Sequence, residues 1–238
     1  MLLRLRNAAA SMSEMNRQQE RTANNLANAN TVGFRRDRTF TDVLSNRIDA
    51  EGNPISRRTT TQWADSQQGA FEATGNPLDV ALGGEGFLVV TDDAGATRYT
   101  RAGRLTPMPD GTLMTPDGFT VQGADGPIQL PPTGGDIAIT AEGAIRVGGE
   151  QVGALQLVGF PEGTAFERLD GATFATNAAP EPLAEPDVRQ GFIETSNVNP
   201  LAEMTDMITH FRLFESQQKM LQTTDQTLGA ITRDLGTF

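Results

Sequence analysis

Few residues in this sequence could do chemistry. His210 is the only histidine among 238 residues, so a Ser-His-Asp relay or a multi-histidine metal site would rest on a single imidazole. There is no cysteine, which removes thiolate nucleophiles, thiolate metal sites and disulfides together. Asp92-Asp93 could act as an acid and base pair or hold a cation. Neighbours on a strand point to opposite faces, however, and Asp93-Ala94-Gly95 has the composition of a turn, so a hairpin tip is expected there. Gly83-Gly84-Glu85-Gly86 lacks the Lys and Ser or Thr of a phosphate loop and runs into an apolar strand pattern rather than a helix. The cluster Arg35, Arg36 and Arg38 has no interleaved stacking set, and the chain carries a formal charge of -11, which argues against nucleic acid as a partner. No catalytic residue, cofactor or metal is expected. Trp63 and Tyr99, each the sole example of its kind, could anchor a partner but are more often core residues.

The elements that hold these residues are set out by glycine and proline, which weaken helices and mark turns. No Gly precedes Gly33 and no Pro precedes Pro54, and after Pro200 only Gly229 and Gly236 remain of the two types. Between Gly75 and Gly163 lie 18 of the 25 glycines, with turn signals such as Pro109-Asp110-Gly111 and Pro116-Asp117-Gly118 separating short apolar runs. This pattern predicts α-helix at both ends and antiparallel β-structure between them, an α+β fold. Hydrophobic residues are 37% and charged residues 21%, with mean hydropathy -0.35. No apolar run approaches the roughly 20 residues that span a bilayer, and membrane insertion is not expected. Arg4 and Arg6 are not followed by the apolar stretch of a secretory signal, so none is expected to be cleaved.

In the amino-terminal segment Leu5, Ala8, Met12, Met15, Gln19, Ala23 and Leu26 recur at steps of three and four, a narrow stripe suited to one partner helix. The helix is expected to end within Asn28-Ala29-Asn30-Thr31-Val32-Gly33. The carboxyl-terminal segment repeats the pattern with Leu201, Met204, Ile208, Phe211, Phe214, Gln218, Leu221, Asp225, Leu228, Ile231 and Leu235. Gln218 and Asp225 either fix register as polar seam residues or face solvent. Asn199 is the expected N-cap and Pro200 the first helical residue. Neither stripe has a nearby partner in sequence, so the two ends are expected to pair as a coiled coil. The resulting organisation is an N-terminal helix over 1–30, an extended connector over 31–75, a central β domain over 76–180, a linker with Pro182 and Pro186 over 181–200, and a C-terminal helix over 201–238. Charge is uneven as well: residues 1–60 hold ten arginines against six acids, while 61–238 hold nine basic residues against twenty-four acids. That asymmetry either marks ordinary solvated faces or suits contact between subunits.

Three segments resemble the flagellar basal-body rod and hook protein family. The first is Asn24-Asn25-Leu26-Ala27-Asn28-Ala29-Asn30-Thr31-Val32-Gly33-Phe34. The second is Ser196-Asn197-Val198-Asn199-Pro200 with Glu203-Met204 and Met207-Ile208. The third is Thr74-Gly75-Asn76-Pro77-Leu78-Asp79-Val80-Ala81-Leu82, with Gly84-Glu85-Gly86-Phe87 and Tyr99-Thr100-Arg101-Ala102-Gly103. Chain length is nearest the proximal rod members, with the longer distal rod members as the neighbouring possibility.

The resemblance implies a non-enzymatic structural subunit of the rod that crosses the periplasm. It would be exported by the flagellar type III apparatus without signal cleavage and assembled with its own copies and adjoining rod proteins. On that reading Leu5, Met12, Met15, Leu26, Leu201, Met204, Ile208, Phe211, Leu221 and Leu228 are the expected subunit-packing residues, and Arg35 and Arg36 are expected to meet acidic faces of neighbouring subunits. A wall- or carbohydrate-binding β module without catalytic activity is the second reading. A hydrolase, which needs an acid and base pair not found here, is the third.

Overall fold

The fold is described from a computed structural model over residues 2–48, 54–65, 67–132, 135–161, 163–164, 166–169 and 171–235. The chain forms two compact units, a helical one from Met1–Ala27 with Asn199–Phe238 and a β body over Asn28–Val198. It is thus α+β, with an antiparallel β-rich centre between terminal helices.

In the helical unit, α1 is Leu2–Ala27 and α2 is Pro200–Leu235. Pro fits the first helical position because its missing N–H would have no intrahelical partner there. Asn199 Oδ1 accepts hydrogen bonds from Leu201 N at 3.1 Å and Ala202 N at 3.2 Å, the N-cap the sequence predicts. Asn199→Ala should therefore cost about 1 kcal/mol of the helical unit's stability. Circular dichroism would read this as an earlier helix melt with the β transition unmoved.

The two helices pair side by side. Asn25 Nδ2 donates to Glu203 Oε2 at 3.5 Å, and Gln217 Nε2 donates to Ser11 Oγ at 3.1 Å. The step back from Asn25 to Ser11 equals the step forward from Glu203 to Gln217, two heptads in each case, so the pair runs antiparallel without slippage.

In the β body the strand Phe87–Thr91 is central and hydrogen-bonds on its flanks to Thr97–Thr100, Thr120–Gly123 and Leu157–Gly159, all antiparallel. The sheet continues through Thr173–Ala175 to Glu167–Arg168 on one side, and through Leu113–Met114 to Thr106–Pro107 on the other. Alternation along a strand sends successive side chains to opposite faces. Leu88 and Val90 accordingly join a core with Val80, Leu82, Leu113, Val121 and Ile145. Phe87 and Val89 join a second core with Tyr99, Val158 and Phe174. Burial on both faces explains the unbroken apolar run Phe87-Leu88-Val89-Val90. In the second core Phe87, Phe160, Phe166 and Phe174 meet at ring-centroid distances between 5.0 and 6.1 Å. Tyr99 is buried there. The side chain of Trp63 lies outside the described residues.

Two segments are more regular than their sequence suggests. In the connector, expected to be extended, Asp37–Ile48 and Pro54–Ala64 pair as two antiparallel strands, with a register shift between Leu44 and Arg47. Its β-forming residues are largely Thr, as in Thr59-Thr60-Thr61, so strand propensity is high while apolar alternation is weak. The proline-containing stretch before α2 holds Glu181–Pro182, Asp187–Gln190 and Phe192–Glu194, paired with Leu157–Gly159, Val80–Gly83 and Phe71–Ala73 respectively. Pro182 is tolerated because Glu181–Pro182 ends its path in the sheet, where one set of backbone groups need not donate.

Candidate functional site

The three signature segments meet in the β body at a buried junction. Gly33 has φ 70°, in the left-handed region that β-carbon sterics disfavour. A Cβ on Gly33 would lie 2.4 Å from both Ala102 N and the carbonyl carbon of Arg101, so the two backbones touch only because no side chain intervenes. At Gly103 a Cβ would fall 1.7 Å from Val80 O. Gly33 N donates to Glu194 O at 2.8 Å, tying the end of the first signature to the strand that leads into the second. Asn197 completes the clamp. Its Oδ1 accepts from Arg36 N at 2.6 Å, and its Nδ2 donates to Gln67 O at 2.8 Å.

Charge neutralisation holds the centre of the junction. Arg101 and Glu194 side chains are each 1% exposed, with Arg101 Nη1 3.2 Å from Glu194 Oε2. Arg101 also donates to Leu82 O at 3.2 Å and Gly84 O at 2.6 Å, while Glu194 Oε1 accepts from Gly69 N at 3.1 Å. Arg35 Nη2 stands 3.8 Å from Glu194 Oε1. Both guanidiniums lie over the Phe87 ring, at 5.7 Å for Arg35 and 5.2 Å for Arg101, where the ring's negative face attracts a cation. Burial pushes Arg101 down to about 10, with Arg35 repelling it and Glu194 favouring its charged form, so it remains a cation at neutral pH. Burial likewise lowers Arg35 against the pull of Glu194, Asp65 and Glu85. Beside this cluster Arg168 covers Phe34 at 4.1 Å and Phe174 at 4.9 Å, and its Nε donates to Asp37 Oδ1 at 3.0 Å. Each charge is occupied by backbone carbonyls, an opposite charge or a ring. The arrangement therefore locks chain segments together rather than presenting a reactive group.

The first signature straddles the two units. Asn24 and Ala27 are exposed on α1, Leu26 is half-buried and Asn25 buried. Asn28, Asn30 and Thr31 form the turn after the helix, with Thr31 Oγ1 donating to Asn28 Oδ1 at 3.1 Å, and Phe34 is buried. In the second signature Ser196 and Asn197 are half-buried, Val198 is buried and Asn199 caps α2. Arg35 is buried among partners of its own chain and Arg36 is half-buried. Asp92 holds the hairpin tip expected of it: its Oδ1 accepts from Ala94 N at 3.1 Å and Ala96 N at 2.8 Å. The Ala96 bond, followed by that from Arg98, holds the carboxyl below its ordinary range. Among the described residues no group of acidic or histidine side chains is placed to hold a metal ion.

The helix pair meets on faces that share Met15, Phe214 and Leu221 with the apolar stripes and otherwise lie one residue to the side. On α1 the sheltered positions include Ser11, Met15, Gln18, Thr22 and Asn25; on α2 they are Glu203, Met207, His210, Phe214, Gln217 and Leu221. Both sets step by four and three, as a seam requires. One residue is about 100° around a helix, so most of the α2 stripe turns outward: Leu201 is 74% exposed, Met204 48%, Ile208 55% and Phe211 50%. Met12, Met15, Leu26 and Leu221 are half-buried, while the side chains of Leu5, Asp225 and Leu228 lie outside the described residues. Gln218 is exposed and faces solvent. Sequence reasoning passed over Glu194 as a site residue because an acid 93 positions from its arginine looks like a surface charge. Its setting between apolar Phe192-Ile193 and the second signature was the available signal.

Comparison with known proteins follows the same three segments. A profile described as "Flagella basal body rod protein" matches residues 5–35, one described as "Flagellar hook protein FlgE/F/G D1 domain" matches 81–147, and one described as "Flagellar basal body rod FlgEFG protein C-terminal" matches 189–234. The flagellar basal-body rod protein FlgF of Mesorhizobium japonicum is 33% identical over 96% of each chain. The chain belongs to the flagellar basal-body rod protein family. FlgF of Salmonella typhimurium is 37% identical over 93% of this chain and 94% of its own, and FlgG of Caulobacter vibrioides is 32% identical over 96% and 98%. Alignment with that FlgG runs to 259 positions, against 234 for the Mesorhizobium FlgF, so the likeness to this 238-residue chain is of the FlgF type. As a rod protein it is a structural subunit of the flagellar basal body, working among other rod components. The reading as a free wall- or carbohydrate-binding module is not favoured, since the matched segments include both terminal helices.

Proposed function

We propose that this rod protein self-assembles through its terminal helices, which pair as a coiled coil and pack against those of its own copies and of adjoining rod proteins in the axial drive shaft. The observation that carries this is the exposed row Leu201, Met204, Ile208 and Phe211 on one side of α2. Four large apolar side chains in line are unusual on the free surface of a helix and gain about 1.5–3 kcal/mol each when covered. Together with Leu5, Met12, Met15, Leu26, Leu221 and Leu228 they are the subunit-packing set. The β body, locked by its buried junction, acts as a rigid spacer and does no catalysis.

The subunit reaches the periplasm-spanning rod through the flagellar type III export apparatus. The outer apolar row of α2 gains its cover only from neighbours, so that part of the burial is completed on assembly. Removing residues 201–238 should leave the β-sheet signal of the body intact by circular dichroism and abolish rod assembly and swimming. Normal swimming by the truncated strain would sink the proposal.

A further inference from the structure

The seam that joins α1 to α2 is mostly polar, and its polar residues are periodic. Ser11 bonds Gln217, Asn25 bonds Glu203, and midway between these pairs the antiparallel register sets Gln18 opposite His210. Ser11, Gln18 and Asn25 are spaced by heptads, as are Glu203, His210 and Gln217. Asn25 is 1% and Glu203 2% exposed, although neither residue type is ordinarily buried. Between the layers lie Met15 and Thr22 on one helix and Met207, Phe214 and Leu221 on the other, all sheltered.

We propose that these three heptad-spaced polar layers fix the register of the α1–α2 pair. An apolar heptad seam matches itself again after every slip of seven residues, because one hydrophobic knob fills the next hole as well as its own. Unlike hydrophobic contacts, the layers are not interchangeable. After a slip of one heptad in one direction Asn25 would face His210 and Gln18 would face Gln217, exchanging the charged acceptor of Asn25 for an imidazole. After a slip in the other direction Gln18 would face Glu203 and Ser11 would face His210, and in either case one end of the ladder loses its native partner. A buried polar group without a suited partner is costly, and that cost distinguishes the native register from its shifted copies.

The consequence rests on the assembly reading above. A slip of seven residues moves the exposed α2 row by about 10 Å along α1, so a neighbouring subunit would find a displaced surface. Polar layers give up some pairing strength and in exchange hold the composite outer face of the two helices constant from copy to copy.

The chain has no cysteine, so spin labels can be placed at will. Ser13 and Thr205 are both exposed and stand about ten residues apart along the pair, which makes their separation sensitive to slippage. Pulsed electron paramagnetic resonance on the full-length monomer carrying Ser13→Cys and Thr205→Cys should give one distance. Adding Gln18→Leu, Asn25→Leu, Glu203→Leu and His210→Leu should bring in a second population of comparable size, displaced by about 10 Å along the axis. Exchanging the innermost layer instead, as Asn25→Glu with Glu203→Asn, should keep the single distance. Several distances in the parent, or one distance in the leucine variant, would overturn the proposal. So would loss of helix pairing in the leucine variant, since a seam freed of buried polar groups should pair at least as tightly.

Discussion

Glu194→Ala should destabilise the β body by about 3–5 kcal/mol, the cost typical of removing one partner from a buried ion pair. With the carboxylate gone, Arg101, whose side chain is 1% exposed, would keep only the carbonyls of Leu82 and Gly84 as hydrogen-bond acceptors. Arg35, whose charge already disfavours that of Arg101, would lose the first of its acidic neighbours and keep Asp65 and Glu85, and Gly69 N would lose its acceptor. Urea unfolding followed by far-ultraviolet circular dichroism would measure the loss as a lower midpoint at unchanged slope. Arg101→Ala alone should cost a similar amount, and the double substitution should cost clearly less than the two single losses together, because much of each loss is the stranded partner. A loss below about 1 kcal/mol for Glu194→Ala, or strict additivity, would mean that the junction is held by the glycine contacts and Asn197 rather than by charge.

What could be read from the sequence, and what could not, divides along a physical line. The ends of elements were legible because they depend on a residue and its immediate neighbours: Asn199 before Pro200, the asparagine run closing on Gly33, and the Asp92 turn are local chemistry. The buried strand Phe87–Thr91 was legible as an apolar run. The strand pair Asp37–Ile48 and Pro54–Ala64 was not, since threonine and arginine conceal the alternation that marks a strand. The junction of Arg101 with Glu194 and Arg35 depends on a fold that joins segments far apart, and a charged side chain is ordinarily exposed, so the apolar neighbours of Glu194 were its one local signal. The helix pair shows the limit of periodicity. The rule takes apolar residues to face the partner, yet only Met15, Phe214 and Leu221 of the stripes lie on the seam, which alternates them with polar residues that bond Asn25 to Glu203 and Ser11 to Gln217. Periodicity measures which face seeks cover, and it is silent on whether that cover lies in the same chain.

Ile208→Asp combined with Phe211→Asp is accordingly expected to abolish assembly while leaving the isolated subunit unharmed. The two side chains are 55% and 50% exposed, and substitutions at such open positions usually shift stability by no more than about 0.5 kcal/mol, so the melting temperature of the purified monomer should barely move. In an assembled rod the same positions would be covered, and each carboxylate would be buried without a counter-charge, at a cost of several kcal/mol per subunit. Repetition in every copy turns that local cost into loss of the structure, read as absent rods by electron microscopy and as non-swimming cells. Thr209→Asp adds charge at an exposed position off the row and should leave both readouts intact, which separates a covered face from a general effect of negative charge on α2. Should the paired aspartates instead lower the melting temperature as much as they impair swimming, the row would be part of the folded subunit's own core, and the surface joining neighbours would have to lie elsewhere.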